Sequence, residues 1–152
     1  MEYVCYKLYP MRDAENSFIK QVIYVSKPVG FDDKALEGVL VQSKQNNKKN
    51  QITGALICRS DLYLQYLEGP PNKIDSLYSK IKIDARHTDV KLLEDAKSKR
   101  RLFANWEMRG DPVKDWMWTQ EEVADGVLER LSQNDAMNIF VQHSREIDQF
   151  LS

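Results

Sequence analysis

Cysteine is scarce: Cys5 and Cys58 are the two in 152 residues. A chain this short that relied on disulfides would need more of them, and neither cysteine stands in a metal-ligand spacing. The pattern predicts two reduced thiols, with Cys58 a small core residue inside an apolar run. Histidine is equally rare. His87 and His143 have no cysteine or carboxylate at ligand spacing, so no metal site is expected. Charge of one sign is lacking too. The net charge is −1, and Lys48-Lys49 and Lys97 to Arg101 read as solvated surface, which argues against nucleic acid as a partner. No apolar run is long enough to span a bilayer, and Met1 to Lys20 has no apolar core of the kind a signal peptide carries. The expectation is a cytoplasmic protein without a membrane partner. Also absent are a glycine-rich dinucleotide loop, a nucleophile–base pair and paired carboxylates, so no enzyme activity is expected.

What is present reads as one compact domain with a single core. Residues 1–20 form an N-terminal extension, interrupted at Pro10 and by Asp13 to Ser17. Gln21 to Lys27 is β-branched and aromatic, hence a strand. Asp32 or Asp33 caps a helix whose buried stripe is Leu36, Val39, Leu40 and Ser43; one further turn brings Asn47 to the same side. Asn46 and Asn47 also suit a C-terminal cap and turn. Ile52 to Cys58 and Leu62 to Glu68 read as a hairpin around Arg59 to Asp61. Pro70-Pro71 opens a second helix with Ile74, Leu77, Tyr78 and Ile81 inward. Asp89 to Ala96 and Ala104 to Arg109 complete the strands. The order βαββαββ predicts an α+β ferredoxin-like sandwich: a mixed five-stranded sheet with two helices on one face. A C-terminal helical cap over residues 113–152 covers the other face. It carries a Thr119–Glu122 capping box, then Val123, Val127 and Leu131, then Met137, Phe140, Ile147 and Leu151.

Three polar or aromatic features interrupt this core. Alternation along the third strand puts Tyr63, Gln65 and Leu67 on one face, so Gln65 is an amide in an apolar wall that needs its donors and acceptors answered. Tyr24 lies mid-strand beside Val22 and Ser26. In the last strand Ala104, Trp106 and Met108 share a face. Singly, each has an ordinary structural account: a glutamine bonded to backbone, a tyrosine with a satisfied hydroxyl, a large apolar packing pair. Together they describe a lining suited to a planar, hydrogen-bonding ligand, because pockets are mostly apolar with a few placed polar groups.

The strings QVIYVSK, Gln45-Asn46-Asn47 leading into Ile52-Thr53-Gly54, LYLQYLEGP, Ile83-Asp84-Ala85-Arg86-His87 and Trp106-Glu107-Met108 resemble, in order and spacing, the BLUF photoreceptor domain. The resemblance runs from about Gln21 to Arg109, and the domain is taken as 21–112. It implies a flavin between the two helices, usually FAD, with FMN or riboflavin as alternatives. It assigns Tyr24 as the photoactive tyrosine and Gln65 as the switching glutamine. Asn46, Asn47, Arg86 and His87 join them in holding the flavin, and Trp106 and Met108 are tied to signal output. In the mechanism this implies, light drives electron and proton transfer among flavin, Tyr24 and Gln65, leaving Gln65 rotated, tautomerised or both. The implied function is a blue-light photoreceptor whose hydrogen-bond switching changes protein–protein interaction or self-association. Its expected partners are an unidentified downstream protein or a second copy in a homo-oligomer. The alternative is a ferredoxin-like interaction module without flavin. Three departures stand out. Glu107 replaces a small polar residue and by strand parity faces the C-terminal helices. The turn Arg59-Ser60-Asp61 lacks the usual glycine. The extension before Gln21 is longer than many relatives have.

Overall fold

The computed structural model describes residues 18–151, with side chains through Ile147. The expected extension over 1–20 therefore lies outside the described residues up to residue 17, and Ile19 and Lys20 already belong to the first strand. Strand β1 (Ile19–Pro28) leads to helix α1 (Asp33–Asn50), the hairpin β2 (Thr53–Arg59) and β3 (Leu62–Gly69), helix α2 (Pro71–Lys82), and strands β4 (His87–Ser98) and β5 (Arg109–Pro112). The sheet order is β4-β1-β3-β2-β5. All pairings are antiparallel except β2 with β5. This is the expected five-stranded α+β sandwich.

Local chemistry sets most boundaries. Asp32 is the N-cap of α1, its carboxylate accepting from Ala35 N at 2.6 Å. The helix does not stop at Asn46-Asn47. It runs on to Asn50 and ends on Gln51 in the left-handed region, φ 60°, so both asparagines are helical. Gly54 allows β2 to close on β3, since a Cβ there would fall on the Tyr66 carbonyl oxygen.

Every residue of β3 is buried, because both faces of the sheet are covered. On one face Ile23, Val25, Ala55, Ile57, Leu62, Leu64 and Tyr66 meet Phe103 and the C-terminal elements. Those elements are helix α3 (Gln120–Ala124), a 3₁₀ turn (Leu128–Arg130) and helix α4 (Gln133–Leu151). The capping box at Thr119 and Glu122 forms as expected. Val123, Phe140 and Ile147 are buried in this layer, and Met137, Val127 and Leu131 pack at its edge. The Leu151 side chain lies outside the described residues. On the other face Val22, Tyr24, Leu56, Tyr63 and Leu67 meet Ile74 of α2, with Leu36 and Leu40 of α1 at the margin.

The segment expected as the last strand, Ala104 to Arg109, is not one. Residues 101–108 form a loop, and the strand begins where the expectation ended. The cause is capture of backbone groups that a ladder would need. Glu68, fully buried at the end of β3, accepts from Leu102 N at 2.6 Å and Phe103 N at 2.7 Å, as well as from Thr53 Oγ1 and Tyr66 OH. Trp106 N turns back onto Phe103 O, and Asn47 Nδ2 donates to Glu107 O at 2.8 Å. With no strand there, the parity argument for Ala104, Trp106, Glu107 and Met108 fails. Ala104 is exposed. Trp106 packs with the C-terminal layer, and Met108 with the helix layer.

Candidate functional site

Tyr24 and Gln65 are direct partners in the β1–β3 register. Parity turns both toward the helices, where they are 4% and 6% exposed. The Tyr24 hydroxyl donates to Gln65 Oε1. The other end of the amide donates from Nε2 to the Met108 thioether sulfur at 3.2 Å. The result is a three-residue chain, phenol to amide to thioether, across β1, β3 and the end of the 101–108 loop. The amide has one sensible orientation within it. A thioether carries no hydrogen, so only the N–H₂ end can face Met108, and the carbonyl end must face the phenol. Burial pushes the Tyr24 phenol well above the ordinary tyrosine range, with Tyr78 and Tyr63 adding to it. Tyr24 is therefore a neutral, proton-bearing donor.

Asn47 is 2% exposed, the one fully buried position of α1. Its amide pins Glu107 O, one residue before Met108. The apolar stripe of α1 above it, Leu36, Val39 and Leu40, is only half-buried, so this helix does not press its full face into the sheet. Asn46 is exposed, with its carbonyl accepting from Asn50 Nδ2 at 3.0 Å. Arg86 is exposed beyond the end of α2. It reaches Gln42 Oε1 of α1 at 3.2 Å and holds Asp84 through Nη2 at 2.6 Å. That hydrogen bond to Arg86 keeps the Asp84 carboxyl down at about 2. Arg86 thus ties α1 to the turn that follows α2. His87 is half-buried with both ring nitrogens engaged. Nε2 lies 2.6 Å from Ile81 O, which can only accept, so Nε2 carries the proton and Nδ1 accepts from Ser26 Oγ at 2.7 Å. Its ring stands edge-on to Tyr24 at 6.0 Å between centroids.

The structure therefore brings Tyr24, Gln65, Met108 and Asn47 to one wall, with His87 against it and Arg86 at its rim. It leaves Asn46 on the surface and puts Trp106 on the opposite side of the sheet. There the Arg109 guanidinium lies 4.6 Å from the Trp106 ring centroid. Sequence reasoning missed Glu68, whose carboxylate holds the start of the Met108 loop. The signal available was a charge at the end of an otherwise apolar strand. On the same face as Tyr24 the rings of Phe31 and Tyr63 pair at 6.2 Å between centroids. Among the described residues no cluster of metal-binding side chains occurs, and no helix is long and apolar enough to cross a membrane.

Known proteins resemble this chain in sequence and fold. Residues 19–109 match the family model described as BLUF, sensors of blue-light using FAD. Photoactivated adenylate cyclase subunit beta of Euglena gracilis is 34% identical over 68 residues, covering 45% of this chain and 8% of that protein. The chain thus spans less than a tenth of that relative's length. The dark-state structure of the BLUF protein BlrB superposes with a TM-score of 0.70 at 22% identity, covering 84% of this chain and 96% of that one. Klebsiella pneumoniae BlrP1, solved with FMN and cyclic diGMP, gives a TM-score of 0.59 at 28% identity over 73% of this chain and 28% of that one. The family match spans most of the chain and contains the whole Tyr24–Gln65–Met108 wall: the chain belongs to the BLUF family of flavin-based blue-light sensors.

Proposed function

We propose that the Tyr24–Gln65–Met108 chain is the light switch of this sensor, and that the flavin edge it reads lies in the cleft between α1 and α2. The residues fit such a ring. A half-buried aliphatic stripe on α1 leaves room above the sheet, and the Asn47 and Gln65 amides offer donors and acceptors to an edge of carbonyls and an imide. The flavin supplies blue-light absorption and an electron acceptor. The protein supplies the rest. Tyr24 holds a proton aimed at Gln65 Oε1. The thioether makes the resting amide orientation the satisfied one, because Nε2 has an acceptor there and Oε1 has the phenol. Rotation of Gln65 exchanges the two contacts: Nε2 turns to the phenol oxygen, which can accept, and the bond to the Met108 sulfur is lost. Oε1 then faces a sulfur that has nothing to donate, and the Met108 side chain loses its hold. Asn47 and Arg86 position the ring, and His87 buttresses Tyr24.

FAD is the proposed chromophore, with FMN or riboflavin as substitutes of the same ring. Residues 21–112 form the sensing unit, and 113–152 the cap that transmits its state. Output is a light-dependent change in binding to a downstream protein or to a second copy, in the cytoplasm and without catalysis by this chain. Support for this rests on one observation, the buried relay from phenol to amide to thioether. Purified protein is expected to be yellow. Blue light should shift its flavin band slightly to the red, with reversal in darkness, and the released chromophore should be FAD by chromatography. Protein that takes up none of the three flavins overturns the reading.

A further inference from the structure

Helix α4 packs on the sheet almost entirely through apolar contact: Ala136, Phe140 and Ile147 are buried against Tyr66 and Phe103. Among the described residues, apart from the local capping contacts between Asp135 and Ser132 at its start, its one side-chain hydrogen bond to the rest of the protein is His143 Nε2 to Asp111 Oδ2, at 3.1 Å. His143 is 1% exposed, and its Nδ1 is buried with no partner. A carboxylate only accepts, so Nε2 must carry the proton, and Asp111 alone holds this ring by a directional bond. Asp111 is contested. The same oxygen, Oδ2, also accepts from Arg109 Nε at 2.7 Å. Burial opposes ionisation of Asp111, but the bonds from His143 and Arg109 outweigh it and hold the carboxyl below its ordinary value.

Arg109 is covalently next to Met108, the residue that Gln65 holds. Strand β5 is four residues long, Arg109–Pro112; Met108 immediately precedes it and Asp111 is its third residue. Its faces alternate. Met108 packs on the helix side, and Arg109 lies over Trp106 on the cap side. Gly110 lies under α1, where a Cβ would come 2.6 Å from Leu40 Cδ1, and Asp111 returns to the cap side. A short edge strand clamped by one parallel neighbour moves as a unit. Displacing Met108 carries Arg109 with it and redistributes Asp111 Oδ2 between its two donors. Apolar packing tolerates a small slide, whereas a hydrogen bond weakens steeply with angle and distance. This makes the Asp111–His143 contact the place where a small movement of β5 becomes a change in the grip on α4.

We propose that Asp111 and His143 form the joint through which the state of the Gln65–Met108 contact reaches helix α4, with Arg109 as the competing donor. This rests on the switch assigned above. His143 and Asp111 are positioning residues and touch no part of the flavin cleft.

Hydrogen–deuterium exchange of α4 in darkness and under blue light tests it, with the flavin red shift recorded on the same samples. The parent protein should show the red shift together with faster exchange across residues 133–147 in light. His143→Phe keeps the ring and removes the donor. It should retain the red shift but lose most of the light-dark difference in α4, with dark exchange already near the lit level. His143→Gln places an N–H near the position of Nε2 and should restore most of the difference. If His143→Phe does not fold, Asp111→Leu, which keeps the shape and removes both acceptor oxygens, carries the same expectation. A light-dark difference equal to the parent's in His143→Phe or Asp111→Leu overturns the joint, as does a parent with a red shift and no change in α4. A parent without a red shift overturns the switch itself and leaves this contact a structural bond.

Discussion

Replacing Tyr24 by phenylalanine removes one oxygen and nothing else, which makes it the sharpest test of the relay. The ring stays in the layer formed by Val22, Leu56, Tyr63 and Leu67. Gln65 Oε1, in a side chain 6% exposed, loses the only donor it has among the described residues. An unanswered buried acceptor costs about 1–3 kcal/mol. For a domain of this size each kcal/mol lowers Tm by about 2–4 °C, so Tyr24→Phe should melt about 2–12 °C lower. Gln65→Leu strands the phenol instead and should cost a similar amount. The double variant removes both partners and leaves an apolar pair, a change that is close to neutral. The two single costs should therefore fail to add, with a coupling energy of at least about 2 kcal/mol, the sum of the two single costs. Thermal or urea unfolding of the four flavin-free proteins, followed by circular dichroism, measures this. The same variants reconstituted with FAD should bind it yet show no red shift in blue light. Costs that add within about 0.5 kcal/mol refute the buried bond. A normal red shift in Tyr24→Phe refutes its place in the switch.

Two further outcomes follow from groups away from the amide. Glu68→Ala leaves Leu102 N, Phe103 N and the Tyr66 hydroxyl without their shared acceptor. It should cost at least about 3 kcal/mol in urea unfolding and loosen the Met108 loop, seen as faster exchange over residues 101–108. Stability should also fall in alkali. Burial holds Cys58 up at about 11 from an ordinary 9.0, and raises Tyr24 and Tyr66 above an ordinary 10.0. The unfolded chain sheds these protons first, so the stability they contribute is complete below about pH 9 and is lost as pH rises through these values. The urea midpoint should begin to drop above roughly pH 9, and Cys58→Ala should delay that onset toward the tyrosine range. A midpoint that is flat to about pH 11 contradicts this.

Much of the architecture follows from short-range rules that a sequence obeys locally. Alternation in β1, β2 and β3 sorts the two faces of the sheet residue by residue, which is why Tyr24 groups with Val22 and Ser26, and Gln65 with Tyr63 and Leu67, from their positions alone. The Thr119–Glu122 box and a cap at Asp32 or Asp33 are likewise local, since each satisfies backbone groups within three or four residues. The stripe on α1 pointed to Asn47, and its burial follows from the same helical period.

What only the tertiary structure decided are contacts between groups far apart in the chain. Whether Asn46-Asn47 ends a helix or continues it depends on where Asn47's amide finds a carbonyl, and that carbonyl is 60 residues away, on Glu107. The last strand lies later than its composition suggests because Glu68 takes backbone donors 34 and 35 residues further on. Within residues 101–108 the backbone groups of Leu102, Phe103 and Glu107 are taken by Glu68 and Asn47, and only Trp106 O bonds to β2, at Gly54 N. That shift separates Trp106 from Met108, which alternation alone had put on one face. The pairing of Asp111 with His143, 32 residues apart, is of the same kind. The sequence by itself determined which residues face the two layers, because periodicity is a property of the local backbone. Only the folded structure decided which polar groups meet, because a buried donor takes whichever acceptor the packing brings to it.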